Sequence, residues 1–269
     1  MNELVLTPEN ERLRNLKESY RSIIARLLTQ KEQLLSVEEP NLNAAYLTSI
    51  GSLQYDLVVI KTDIAKLKLE TNLIRSYINQ NKAIEFKQIE DELKTATMAY
   101  QKELESKAEE LRQAREWMNL SPLSAVDNAE LKRLYHLIVK QLHPDLHPDL
   151  SENERTVFFK AQRCYKLGDL EGMRMIFAQL DQHEISSNIF ESLDDEVNYL
   201  KKTMEKLTQE IEHINQRFPF TKREFLNNPT AIAEKQAELK AAIEQAGKER
   251  NEYQQYVNAL KLWKPGLLN

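Results

Sequence analysis

From about residue 44 to residue 118 the chain contains no proline, and its only glycine is Gly51. Because proline and glycine are the residues that most strongly oppose helix formation, this stretch can be helical throughout. Such a helix would be about 110 Å long at a rise of ~1.5 Å per residue. A helix of that length does not fit inside one compact domain, so the sequence predicts a small core with extended helical arms.

An apolar stripe runs along the first half of this stretch. Its members are spaced alternately three and four residues apart, which is the a/d repeat of a coiled coil: Leu57, Ile60, Ile64, Leu67, Thr71, Ile74, Ile78 and Asn81. Near residues 82–86 the phase slips, which predicts a local unwinding of the supercoil. Further stripes follow at residues 193–214 and 239–263.

Each stripe must be covered by another helix. We expect the downstream helices to fold antiparallel onto the long upstream helix, although a parallel homodimer would cover the same stripes. Strand-like alternation does not persist anywhere in the chain. The predicted fold class is therefore all-α, with a small helical hairpin flanked by long antiparallel coiled-coil helices.

Proline marks the divisions between these segments. Pro40 is expected to break the first helix, and Ser121-Pro122 to end the long one. We therefore predict N-terminal coiled-coil helices over residues 1–118, a compact module over 119–182, and C-terminal coiled-coil helices over 185–265.

Composition narrows the function classes. The net charge of −5 is mild, with both signs interspersed, so no general attraction to nucleic acid or to an anionic membrane is expected. Cys164 is the only cysteine, which rules out an internal disulfide and a cysteine-built zinc site. The N-terminus resembles no signal peptide, and no window is apolar enough to span a bilayer. We expect a cytoplasmic protein without cofactor or metal.

The most specific segment lies near the middle of the chain. Residues 131–142 place Leu131, Leu134, Tyr135, Ile138 and Leu142 on one helical face. Lys132, Arg133, His136 and Lys140 lie off that face and form a basic surface.

The basic helix runs into the tripeptide His143-Pro144-Asp145. Pro144 disfavours helix at His143, so a loop over residues 143–151 is expected. A second helix should begin near Glu152 and pack Phe158, Ala161, Cys164 and Tyr165 against the first.

Other interpretations of these residues remain open. His-Pro-Asp also suits an ordinary turn that ends a helix, and the basic residues also suit a solvated face. A metal site is disfavoured because Pro144 and Pro148 prevent His143 and His147 from sharing a helical face. Neither a nucleophilic triad nor a catalytic carboxylate pair can be argued, so the chain is not expected to be an enzyme. The second copy, His147-Pro148-Asp149, is given no role.

The segment from about residue 112 to 182 resembles a J-domain, the module of DnaJ-type co-chaperones. In that family a basic second helix leads into His-Pro-Asp, and a third helix carries an F-x-x-I-x-x-A-Y pattern. Tyr135 and Ile138 match the family in their distance from His143. The third-helix pattern is similar at Phe158, Ala161, Cys164 and Tyr165. The resemblance implies a first helix at about residues 112–120, where the family's Tyr-x-x-Leu-Gly sequence is replaced by Trp117-Met118-Asn119-Leu120.

The resemblance also implies a function. J-domains bind a DnaK-type chaperone ATPase through the basic helix and the tripeptide, and they accelerate its ATP hydrolysis. The implied contact residues are Lys132, Arg133, His136, Lys140, His143, Pro144 and Asp145. The coiled coils are expected to position a client or assembly. The alternative is a structural coiled-coil adaptor whose J-like module does not stimulate an ATPase.

Overall fold

Helices account for all regular structure in residues 8–119, 123–180, 190 and 192–264, the part of the chain that the computed structural model describes. The predicted all-α class is confirmed. In this part of the chain no helix is long and apolar enough to span a membrane. The helices are α1 (Pro8–Gln33), α2 (Glu39–Tyr46), α3 (Ser52–Asn79), α4 (Phe86–Met118), α5 (Ala125–Leu142), α6 (Glu152–Leu167), α7 (Leu170–Leu180), α8 (Leu193–Gln216), α9 (Arg223–Leu226) and α10 (Pro229–Lys261), with π-helical turns at Leu34–Glu38 and Leu47–Gly51 and a 3-10 turn at Phe220–Lys222.

The helices divide into two compact units. Unit 1 contains Met1–Asn41 and Leu120–Thr221, and unit 2 contains Leu42–Asn119 and Lys222–Asn269. The boundary between Asn119 and Leu120 lies next to the division expected at residue 118, whereas the expected N-terminal segment is itself divided between the two units after Asn41. Each unit combines an early part of the chain with a late one, because the apolar stripes upstream are covered by helices far downstream. The expected boundaries at residues 182 and 185 lie outside the described residues.

In unit 1, α8 lies alongside α1 and runs in the same direction. Arg21 bonds Glu196 at 2.9 Å, and Lys31 bonds Glu210 at 2.6 Å. The later residue of α1 pairs with the later residue of α8, so the two helices are parallel. The expected antiparallel arrangement is wrong for this pair. Glu196 is buried, and Lys17 also reaches its carboxylate, at 2.7 Å.

The core of unit 1 joins five helices. It contains residues of α1 and α8, the facing sides of α5, α6 and α7, and two leucines of the loop between α5 and α6: Ile24, Ala25, Leu28, Leu131, Leu134, Tyr135, Ile138, Val139, Leu142, Leu146, Leu150, Phe158, Ala161, Tyr165, Leu170, Met173, Leu180, Leu200 and Leu207. Besides α6 and α7, helix α1 packs against α5 in this core, so α1 takes the place expected for the first helix of the module. The expectation that residues 112–120 supply this helix is wrong, since α4, which ends at Met118, belongs to unit 2.

In unit 2, α10 pairs with α3, again in parallel. Lys68 bonds Glu249 at 2.9 Å, and Lys261 bonds Glu70 at 2.6 Å. Residue numbers therefore increase in the same direction along both helices. Leu67 and Ile74 of the predicted stripe are buried in the core between these helices, as expected. On α10 the fully buried residue is Val257, which lies within the stripe predicted at residues 239–263.

The phase slip near residues 82–86 is a turn. The chain leaves the helix after Asn79, Asn81 adopts a positive φ of 52°, and α4 begins at Phe86. The hydroxyl of Tyr77 donates to Gln88 at 3.0 Å across this turn, so α4 folds back antiparallel on α3. The predicted local unwinding is therefore wrong, because a break in the stripe marks a change of direction here.

Pro40 does not end a helix. It is the second residue of α2, which continues the helical backbone from the π-helical turn Leu34–Glu38, because Gln33 and Glu39 on either side of that turn are both right-handed helical. Pro40 therefore lies inside a helix, where it has no N–H to donate to the preceding turn. The wider π-helical turn before it relieves the clash that the ring would make with a regular preceding turn.

Candidate functional site

The tripeptide stands at the end of a well-capped helix. Ser124 begins α5, and its hydroxyl accepts the N–H of Asp127 at 3.1 Å. The last regular bond of the helix runs from the N–H of His143 to the carbonyl of Val139 at 3.0 Å. His143 itself is extended, with φ −74° and ψ 130°, as expected for a residue before proline. The predicted end of the helix and the start of α6 at Glu152 are confirmed.

His143 holds the shape of the loop that follows. Its Nδ1 accepts the N–H of Asp145 at 3.0 Å, and its carbonyl accepts the N–H groups of Leu146 and His147, both at 2.9 Å. Its ring stands edge-on to Phe158 of α6, with centroids 4.8 Å apart. Three hydrogen bonds and one ring contact therefore fix the turn. These contacts of His143 are with its own loop and with α6.

The inward position of His143 sets its protonation state. Burial lowers the pKa of His143 to about 4, although the carboxylate of Asp145 acts in the opposite direction. Nδ1 is an acceptor here, so protonation at that atom would break its bond with Asp145. At neutral pH the ring is therefore uncharged and the turn is intact.

This protonation state makes the stability of unit 1 pH-dependent. In the unfolded chain the pKa of a histidine is about 6.5, whereas that of His143 in the folded protein is about 4. Between these two values the unfolded chain binds more protons than the folded protein. The stability contributed is fully present above about pH 6.5 and is lost as the pH falls through this window. From pH 7 to pH 5 we expect His143 alone to cost about 2 kcal/mol in the free energy of unfolding, measured by urea titration.

A matched pair of variants isolates this contribution. His143→Gln removes this titrating ring and should reduce the dependence on pH, while His136 and His147, whose pKa values burial also lowers, continue to contribute to it. His213→Gln changes an exposed histidine on α8 and should leave it unaltered. Equal pH slopes in the wild type and in His143→Gln would contradict the assignment.

Asp145 takes part in the fixed turn through its backbone. Its N–H is bonded to His143, and its carbonyl accepts the hydroxyl of Tyr199 of α8 at 3.3 Å. The side chain is half-buried, and its carboxylate has no hydrogen bond or ion pair with the described residues. The backbone of Asp145 is thus satisfied from both sides, while its charged group remains available.

The second copy of the tripeptide has a different environment. His147 is only 6 % exposed, and its Nε2–H donates to the carbonyl of Lys140 at 2.9 Å. The carbonyl of Pro148 accepts a hydrogen bond from the guanidinium of Arg155 at 3.1 Å, and Asp149 is exposed. His147 therefore caps the end of α5, which is a structural role that the sequence interpretation did not assign.

The basic residues of α5 are not equivalent. Lys132, Arg133 and Lys140 are exposed, as expected. His136 is half-buried against α1, with Nδ1 3.1 Å from the hydroxyl oxygen of Thr29. Because that hydroxyl donates to the carbonyl of Ala25 at 2.8 Å, Nδ1–H of His136 is the donor in this contact. Burial, with Lys140 next, lowers the pKa of His136, so the ring is neutral at pH 7.

Helix α6 forms a hairpin with α5. The rings of Tyr135 and Tyr165 stack at 4.3 Å between centroids, and Phe158 and Ala161 are buried on the same face. Cys164 is half-buried beside them, and burial raises the pKa of its thiol. Ser151 and Glu154 begin α6 with a reciprocal capping box, which explains why the helix starts here.

Sequence reasoning missed the groups that brace the hairpin from outside. Glu32 of α1 is buried and accepts the side-chain amide of Gln162 of α6 at 2.9 Å. Thr29 meets His136, and Tyr199 meets Asp145. These partners are separated by more than 50 residues, so no local spacing could have indicated them.

The predicted site residues thus come together on one loop and one helix, with His136 and His143 turned partly inward. Among the described residues no group of three or more histidine, cysteine, aspartate or glutamate side chains could hold a metal ion. No family model, curated protein or solved structure matches the chain.

Proposed function

We propose that unit 1 is a J-domain-like co-chaperone module that binds a DnaK-type ATPase and accelerates its ATP hydrolysis. The observation that carries this proposal is the state of Asp145. Its backbone is held by His143 and Tyr199, while its carboxylate has no partner among the described residues. A carboxylate carried on a fixed backbone is suited to a charge-assisted bond with an arginine of the partner.

The basic face of α5 supports the same function. Lys132, Arg133 and Lys140 are exposed on the helix that leads to the tripeptide. Surface charges of this kind raise the rate of encounter with an acidic partner more than the final affinity. Catalysis remains with the ATPase, and this chain shifts the partner toward the conformation that hydrolyses ATP. In this proposal the helices of unit 2 position a client or an assembly in the cytoplasm.

Two departures from the family favour a second candidate. The hydroxyl of Tyr199 bonds the tripeptide itself, so the loop also serves as a contact point for α8. In addition, the helix beside α5 is α1, which comes from the start of the chain. A scaffold would use the hairpin in this way, as a folded cap that joins distant helices. The second candidate is therefore a coiled-coil adaptor without ATPase stimulation.

A single-turnover experiment distinguishes the two candidates. ATP hydrolysis by several DnaK-type ATPases is measured with and without the full chain. A co-chaperone should raise the rate on the order of tenfold, which corresponds to about 1.4 kcal/mol of barrier. Rates that stay at the basal level with every ATPase would leave only the adaptor.

A further inference from the structure

A groove lies between α1 and α5. It is called the α1–α5 groove below. Its lining residues come in equal numbers from the two helices: Arg26, Thr29, Gln30 and Gln33 of α1, and Ala129, Lys132, Arg133 and His136 of α5. Thr29 is buried at its base, whereas Arg26, Gln30, Lys132 and Arg133 are exposed along its sides.

The charges that line this groove all have one sign. Arg26, Lys132 and Arg133 are cationic and no carboxylate lines the groove, while Lys140 lies one turn further along α5. Arg26 and Lys132 have no ion pair with any described residue. Both Lys140 and Arg26 contribute to lowering the pKa of His136, which reflects uncompensated positive charge around that ring.

The nearest acidic residue on α5 does not neutralise the groove. Glu130 makes its strong contact with Arg174 of α7, at 2.6 Å. The pKa of Glu130 is lowered first by that bond and only last by Arg133. Its charge is therefore largely committed outside the groove, and the positive field within the groove remains.

We infer that the α1–α5 groove binds an acidic protein segment, and that Arg26 of α1 is a contact residue for it. This rests on the proposed function, in which the segment belongs to the DnaK-type ATPase. It goes beyond that function because it adds α1, which no resemblance implicates, to the contact surface. Arginine at one wall and lysine at the other match carboxylates spaced along a segment, and the amides of Gln30 and Gln33 add hydrogen-bond donors.

The test compares two charge reversals on the same helix. Arg26→Glu places a carboxylate in the groove. Arg12→Glu makes the same change at an exposed position of α1, fourteen residues and roughly 21 Å away along the helix. We expect Arg26→Glu to raise the concentration for half-maximal ATPase stimulation about tenfold at low salt, and less at high salt, with the maximal rate unchanged. Arg12→Glu should match the wild type, and circular dichroism should show that both variants keep their helix content.

A binding measurement keeps this inference separate from the proposed function. A fluorescently labelled oligoglutamate peptide is titrated with each full-length protein and followed by anisotropy. Binding by the wild type and by Arg12→Glu, with loss in Arg26→Glu, supports the groove even if no ATPase is stimulated. Equal behaviour of the two variants in both assays would overturn the inference, and equal stimulation of the ATPase by both would leave the co-chaperone function standing. Tighter binding of a labelled single-stranded oligonucleotide than of the peptide would overturn the acidic-protein assignment.

Discussion

The substitution Asp145→Asn should abolish most of the ATPase stimulation that we propose for this protein. It replaces one charged oxygen with an amide, so the bond proposed with an arginine of the partner loses its charge. Hydrogen bonds to charged groups contribute about 1.5–3 kcal/mol, which is at least as large as the barrier lowering expected for the whole stimulation, so the single-turnover rate should fall to near the basal level. The bonds that hold this residue use only its backbone, to His143 and from Tyr199. Folding should therefore change by less than about 0.5 kcal/mol.

The repeated tripeptide provides a matched control for this variant. Asp149→Asn makes the same chemical change four residues later, in the copy whose histidine is turned inward. Because Asp149 is exposed and His147 is committed to capping α5, this variant should stimulate like the wild type. If Asp149→Asn were the damaging change, the functional copy would be the second one. If neither changed the rate, the carboxylate of Asp145 would have no part in stimulation.

Much of unit 1 could be predicted because its signals are local. Pro144 ends α5 within one residue of the expected position, and the Ser151 capping box begins α6 where the sequence indicated. The apolar face of α5 follows from spacing alone, since residues three and four apart share one side of a helix. Local chemistry therefore determined where these helices begin, where they end and which face they bury.

The pairing of the helices could not be predicted. An apolar stripe shows which face is covered but not by which helix, and parallel and antiparallel partners cover it equally well. The contacts that decide the direction, such as Lys31 with Glu210 and Lys68 with Glu249, join residues about 180 positions apart. The same limit explains why the turn after Asn79 was interpreted as a slip of phase. Helix direction changes there, and a pattern read along one helix does not contain that information.

The sequence predicted which residues form the candidate site better than it predicted the contacts that they make. Lys132, Arg133 and Lys140 face outward as the helical spacing required. His136 turns partly toward Thr29, because α1 lies beside it and supplies an acceptor. The contact of Tyr199 with the tripeptide depends on α8 packing along α1, which the sequence did not indicate. The site therefore depends on helices from both ends of unit 1.

The hairpin should depend strongly on the ring of Tyr135. This side chain is almost fully buried at the centre of unit 1 and stacks on Tyr165 at 4.3 Å. Replacing a buried aromatic ring with alanine removes its apolar contacts and leaves a cavity. Tyr135→Ala should therefore lower the free energy of unfolding of unit 1 by about 3–5 kcal/mol. Hydrogen exchange at the amides of α5 and α6 measures this loss within unit 1.

The conservative variant Tyr135→Phe separates the ring from its hydroxyl. Among the described residues the hydroxyl of Tyr135 has no hydrogen-bond partner, so its removal should change stability by less than about 0.5 kcal/mol. ATPase stimulation should follow the same order, with Tyr135→Phe near the wild type and Tyr135→Ala reduced, because Asp145 is aligned only while α5 and α6 remain packed. Exchange in Tyr135→Ala as slow as in the wild type would mean that the stacked rings do not hold the hairpin together. Full stimulation by an unfolded hairpin would mean that the tripeptide acts without it.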